Sequence, residues 1–398
     1  MEQSVKGLVL AGGGAKGSYQ IGVYKALEQL GWKPDVITGT SVGSLNGALF
    51  TQGLWQQARD MWLQLQDHAV IRLPQSAHPR ELAEFLADTV RAGGLDVSPL
   101  EDLVARMLDE DAIRRSPIRF GLVTVNLSDL RPVERSVSEI PAGQLGDYLL
   151  ASAAFFPGFR PRDIGGKTFI DGGYTDNMPT ALAARLGATE LVCVDVDGIG
   201  VQRRNTTGLP TVTVQSHWDL GLTLHFDPQQ ARFNMALGYW DTFRAFGRML
   251  GTAYALPRSQ GKALLTLFVR PYVSHLEKLI HSNPALALTE KLAVDRFDPQ
   301  RSPELAPLEL ACREVGVDPV RRYTARGLIR EFLDRYDIER AARFAPLLED
   351  APPLALVETA LAAAQPAEFV TALVWRAVRS AAPARETTLP EYTEGPVF

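Results

Sequence analysis

Gly7-Leu8-Val9-Leu10-Ala11-Gly12-Gly13-Gly14-Ala15-Lys16-Gly17 is an apolar run that ends in a cluster of glycines. A short unbroken apolar stretch closed by glycine suits a strand buried on both faces of a parallel sheet. From Gly17 to Leu30, the residues Ile21, Val23, Tyr24, Leu27 and Leu30 recur at helical spacing; Gly31 closes that helix and Pro34 follows. Val36-Ile37-Thr38 predicts a second strand, which leads through Gly39-Thr40-Ser41-Val42-Gly43 into another helix. Strand, helix, strand, helix in this order predicts an α/β fold on a mainly parallel sheet.

The glycine cluster at the end of the first strand has two physical readings. As Gly-x-Gly-x-x-Gly between strand and helix it suits a dinucleotide-binding turn, and with it a dinucleotide-dependent oxidoreductase. As a turn of exposed N–H groups at a helix N-terminus it suits an oxyanion hole. The dinucleotide reading requires an acid at the carboxyl end of the second strand. Asp35 precedes Val36-Ile37-Thr38 and is therefore expected at the wrong end. Lys16 precedes the last glycine instead of following it, which departs from a P-loop.

Gly39-x-Ser41-x-Gly43 between strand and helix has the form of a nucleophile elbow, a sharp turn that lifts a serine hydroxyl above the sheet edge. The bland alternative is a tight turn with a capping serine. A serine nucleophile needs a base. Of the six histidines, His68, His78, His217, His225, His275 and His281, none ends a clearly legible core strand. His217, just after Thr211–Val214, is the candidate for a Ser-His-Asp esterase. Asp171-Gly172-Gly173 after the apolar stub Phe169-Ile170 offers another solution. Two glycines behind the acid let its backbone approach another loop, so the carboxylate reaches a serine without an imidazole between them. A self-capping Asp-Gly turn is the bland reading of the same residues.

Taken together, these motifs resemble the patatin-like phospholipase family. Gly12-Gly13-Gly14-Ala15-Lys16-Gly17 is similar to its oxyanion motif, Gly39-Thr40-Ser41-Val42-Gly43 to its nucleophile motif, and Asp171-Gly172-Gly173 to its Asp-Gly-Gly motif. The stretch Ala151-Ser152-Ala153-Ala154-Phe155-Phe156-Pro157-Gly158-Phe159-Arg160-Pro161 resembles the family's Ala-Ser segment. The resemblance covers residues 5–215, fades through Asp219–Arg248 and gives nothing beyond 255. It implies a three-layer α/β/α domain with Ser41 as nucleophile and Asp171 as general base. Gly12, Gly13, Gly14, Lys16 and Gly17 are the implied oxyanion group. The implied substrate is a lipid acyl ester; no cofactor is expected, and because no acidic cluster resembles a calcium loop, no metal is expected either.

The rest of the chain sets the frame. Its 398 residues give a soft prior of two to three domains, read as 1–250 for the catalytic domain and 251–398 for a mostly helical region punctuated by proline. A capping box is expected at Ser98, Pro99 and Glu101, and further strands at Ile118–Asn126, Arg131–Val137, Leu191–Val196 and Thr211–Val214. Residues 229–250 read as helical. Trp55, Met61, Trp62, Leu63, Leu65, Phe85 and Leu86 suit either a cover over an acyl channel or ordinary core. Lys16 suits either a phosphate headgroup or solvent. A formal charge of -5 argues against nucleic acid as a partner and against docking on an anionic membrane by net charge, leaving transient membrane contact through local surface. Two cysteines, with no signal peptide and no apolar run of about 18 residues, suggest a cytoplasmic protein. Nothing in the pattern speaks to an oligomeric state.

Overall fold

The computed structural model describes residues 4–72, 89, 93–297, 304–337, 339, 343–344, 356–379 and 392–398. His78, Phe85 and Leu86 lie outside the described residues. Two compact units are present, residues 1–245 with Phe398, and residues 246–397.

The first unit is built on a mixed, mainly parallel sheet. Its strands are β1 (Lys6–Leu10), β2 (Val36–Thr40), β3 (Arg119–Asn126), β4 (Arg131–Ser136), β5 (Arg162–Ile164), β6 (Lys167–Asp171), β7 (Glu190–Asp195) and β8 (Thr211–Gln215). Their order is β5-β6-β3-β2-β1-β7-β8, with β4 paired to β3. The connecting helices are α1 (Ser18–Gln29), α2 (Val42–Thr51), α3 (Trp55–Trp62), α4 (Ser98–Met107), α5 (Glu110–Arg115), α6 (Leu145–Ser152), α7 (Thr180–Arg185) and α8 (Pro228–Ala245).

Strand alternation places these helices on both faces. Leu10, Ile37 and Phe120 pack beneath Gly47 of α2. Their strand neighbours Val9 and Val36 turn the other way, into a buried cluster with Leu191, Cys193 and Ala183 of α7. Helix, sheet and helix therefore form three layers. Leu8, Val9, Leu10, Val36 and Ile37 are wholly buried, and each such side chain contributes about 1.5–3 kcal/mol of transfer free energy. Tyr19 of α1 ties to α8 through its hydroxyl, which donates to Asp241 at 2.8 Å.

Two local expectations are corrected. Ser98 is the first residue of α4 and not its cap; Val97 holds the cap position without a side-chain bond. Asp96 accepts the Ser98 N–H at 2.9 Å, and Glu101 pairs with Arg162 instead of closing a box. The helix expected through residue 250 ends at Ala245, where Gly247 follows with a φ of 66° and Met249–Leu250 turns into strand β9.

The second unit is mainly helical, with α9 (Arg270–Ser282), α10 (Pro284–Phe297), α11 (Ala306–Glu314), α12 (Ala325–Arg335), α13 (Leu356–Ala364) and α14 (Pro366–Arg379). It also holds two short antiparallel pairs, β9 with β10 (Leu256–Pro257), and β11 (Arg322–Tyr323) with β12 (Tyr392–Thr393). Glu309 of α11 is fully buried and accepts the N–H groups of Thr252, Ala253 and Tyr254, each at 3.0–3.1 Å. Among the described residues, no helix is long and apolar enough to cross a membrane.

Candidate active site

Ser41 lies between the end of β2 and the start of α2, with φ 54° and ψ -127°. That backbone conformation is strained for a side chain with a Cβ, and such strain is held only where the surroundings fix it. The fixing group is Ser152 of α6, whose hydroxyl is wholly buried, accepts the Ser41 N–H at 3.0 Å and donates to the Val123 carbonyl at 2.6 Å. The flanking glycines answer to sterics: a Cβ at Gly43 would stand 2.2 Å from the Leu10 carbonyl oxygen, and one at Gly39 would stand 2.3 Å from the Gly43 carbonyl oxygen.

The path from β2 to Asp171 runs through β3. Thr40 pairs with Val123, and the next residue of β3, Thr124, pairs with Asp171. Since β4 occupies the other edge of β3 over Thr124–Asn126, β6 continues the edge that β2 leaves, and its last residue arrives beside the elbow. Asp171 is 4% exposed, and burial pushes its carboxyl group up to about 6. The Ser41 hydroxyl beside the carboxylate, and the Gly173 N–H that donates to it at 2.7 Å, both pull in the other direction. A carboxylate in this state can take a proton from the serine at neutral pH.

The glycine turn is split by its partners. The Gly12 N–H is already held by Asn177, by the side-chain oxygen at 3.1 Å and the carbonyl at 3.3 Å. The Asn177 amide returns a bond to the Gly12 carbonyl at 3.2 Å. The N–H groups of Gly13 and Gly14 carry no bond to a protein acceptor among the described residues, and both glycines border the cavity in front of Ser41. Two donors thus stand open to a developing oxyanion. Lys16 is not brought into this group: its N–H bonds the Gly13 carbonyl and its ammonium donates to the Asp197 carbonyl at 2.8 Å. Gly17 packs against Val42 and Trp62 and does not itself line the cavity.

The cavity encloses about 110 Å³ and runs from Ser41 along α2. Leu45, Leu49, Leu103, Val104, Leu149 and Phe226 make it apolar, with Asp171 and Asn177 at the Ser41 end. Of the expected cover residues, Met61, Trp62 and Leu65 line it, whereas Trp55 and Leu63 do not. No histidine lines it among the described residues. His217 instead lies in the neighbourhood of Asp241, the partner of Arg244. Asp35 accepts the Lys6 N–H at 2.8 Å, at the amino edge of the sheet opposite Ser41. The acid required for a dinucleotide ribose is therefore not at this site.

Asn177 and Ser152 carry structural roles that the motif reading did not assign. Asn177 follows the Asp-Gly-Gly turn closely enough to have been a candidate, but nothing local indicates that its partner is Gly12.

A family model described as patatin-like phospholipase matches residues 8–184. The chain is 30% identical over 203 residues to lysophospholipase nte1 of Aspergillus terreus, which takes in 48% of this chain and 12% of that protein. It is 32% identical over 205 residues to patatin-like phospholipase domain-containing protein 6 of Homo sapiens, covering 48% of this chain and 13% of the relative. The chain thus spans only a small part of the curated relatives it matches. The crystal structure of VipD from Legionella pneumophila aligns over 98% of this chain and 93% of its own, at 15% identity and a TM-score of 0.39, too distant a likeness to carry an argument.

Proposed function

We propose that the chain, whose residues 8–184 match a family model described as patatin-like phospholipase, is a serine hydrolase of lipid acyl esters, of phospholipase A or lysophospholipase type, working through a Ser41–Asp171 dyad. The observation that carries this reading is the meeting of Ser41 with a buried Asp171 at the end of an apolar cavity whose described wall holds no histidine.

Ser41 attacks the acyl carbonyl carbon while Asp171 takes the hydroxyl proton. The carbonyl oxygen becomes an oxyanion met by the Gly13 and Gly14 N–H groups, and one such donor is typically worth about 3 kcal/mol. The intermediate collapses, the C–O bond to the alcohol breaks, and Asp171 returns its proton to the leaving oxygen. Water, deprotonated by Asp171, then cleaves the acyl-enzyme, releasing the fatty acid and restoring the Ser41 hydroxyl. Both halves draw on Ser41, Asp171 and backbone N–H groups alone, so the proposal calls for no cofactor or metal.

The surface around the site supports brief contact with a lipid surface. Among the described residues of the first unit the exposed large hydrophobic residues are Leu130, Tyr174, Ile199, Val201 and Leu222, Tyr174 in a 3-10 turn and the others in connections that follow the carboxyl ends of the strands, the sheet edge where Ser41 sits. Leu222 is 74% and Ile199 is 67% exposed. Both cysteines are unpaired and buried, which supports a reducing compartment such as the cytoplasm.

The test is fatty-acid release by the purified chain from lysophospholipid, phospholipid and glyceride. Release from at least one, abolished by Ser41→Ala, is expected; no release from any of them, nor from short-chain ester reporters, would overturn the proposal.

A further inference from the structure

We infer that the cavity is a length gauge for the acyl chain, with Ala48 at mid-depth and Gln52 at its closed end. This rests on the reading of Ser41 as the acyl acceptor. Leu45, Ala48, Leu49 and Gln52 recur on the cavity-facing side of α2. At a rise of about 1.5 Å per residue, α2 advances about 16 Å from Ser41 to Gln52. The opposite wall is α4, which presents Leu100, Leu103, Val104 and Met107 at helical spacing.

Gln52, the last cavity-lining residue along α2, ties the end of that helix to the chain just past α4. Gln52 accepts the Asp109 N–H at 2.8 Å and donates to the Ala48 carbonyl at 3.1 Å. A chain that reaches this point meets a polar amide held in place by these bonds, so further methylenes gain less there than along the apolar walls. With C–C bonds of about 1.5 Å, an extended chain advances roughly 1.3 Å per carbon, so about 12 carbons fill the depth. Ala48 is 2% exposed and sits about 10 Å along the helix from Ser41, which corresponds to roughly eight carbons. A larger side chain there would end the gauge early.

Binding can be read without turnover. In full-length Ser41→Ala protein, affinities of saturated fatty acids from six to 18 carbons are measured by displacement of a fluorescent fatty-acid probe. Affinity is expected to rise steeply, by up to about fourfold per carbon, to about 12 carbons and then level or fall. Adding Ala48→Leu moves the break to about eight carbons, and adding Met107→Ala at the far end moves it beyond 12. Because either variant alone can shift the break, a folding failure in one leaves the other decisive. A profile that rises unbroken to 18 carbons, or breaks that neither folded variant moves, would overturn the gauge. Hydrolysis by the Ser41-intact protein is scored separately: a gauge without Ser41-dependent release would sink the hydrolase reading and not the gauge.

Discussion

Thr40 and Asp171 occupy consecutive pairing positions along one edge of β3, opposite Val123 and Thr124. The spacing of Ser41 and the Asp171 carboxylate is therefore set by sheet register, and the space left between the strands is small. A Cβ on Gly172 would stand 2.3 Å from the Val123 carbonyl oxygen and 2.9 Å from Thr40 Cγ2. Gly172→Ala is expected to push β6 away from β2, cost about 1–3 kcal/mol of stability and lower kcat at least tenfold. Thermal denaturation and steady-state kinetics on one preparation check both. Normal kcat in a folded variant would contradict the register account.

Asp171→Asn separates function from stability. The folded protein holds this carboxyl group at about 6, above its value in an unfolded chain, so the folded state binds the extra proton. Its contribution to stability is present at pH values below about 3.9 and is lost as pH rises through about 6. At pH 7.5 the ionised, buried carboxylate destabilises the fold by up to about 3 kcal/mol. Asp171→Asn should therefore melt higher than wild type at pH 7.5, with the difference vanishing near pH 4, while activity is lost. In the wild type, kcat/KM should fall on the acid side with an apparent pKa near 6. A flat profile between pH 5 and 8 would exclude Asp171 as the base.

Ser152→Ala removes the hydroxyl that accepts from Ser41 and donates to Val123. Two buried backbone groups are left without that partner, at about 1–3 kcal/mol each. Since the same hydroxyl holds the strained elbow, kcat should fall about tenfold with little change in KM. Equal losses in kcat and in KM-dependent binding would point to general loosening of the fold.

How much of this was legible in the sequence depends on how local each constraint is. Gly39, Ser41 and Gly43 record a steric demand within one turn, and the elbow geometry follows from them. Asp171 with Gly172 is legible for the same reason. Lys16 was grouped with the oxyanion glycines by adjacency alone, yet the 3-10 turn that starts at Gly14 carries its side chain to Asp197. His217 seemed near the site because it follows a strand. That strand is β8, separated from β2 by β7 and β1, a distance no spacing in the chain reveals. Asn177 was missed because its partner Gly12 is brought to it by topology alone. The two-residue strands of the second unit have no periodicity to read.

The apolar rim has its own readout. Leu222→Asp combined with Ile199→Asp should reduce binding of the Ser41→Ala chain to phosphatidylcholine vesicles severalfold in a flotation assay. Undiminished flotation would remove this edge as the lipid-facing surface.

The most direct measurement of the central claim is labelling by an alkyl fluorophosphonate, read by mass spectrometry of the intact chain and its peptides. The account predicts a single adduct on Ser41, formed at a rate that falls at least a hundredfold in Asp171→Asn and stays near wild type in His217→Ala. An unlabelled Ser41 in folded protein, or labelling that depends on His217 and not on Asp171, would contradict it.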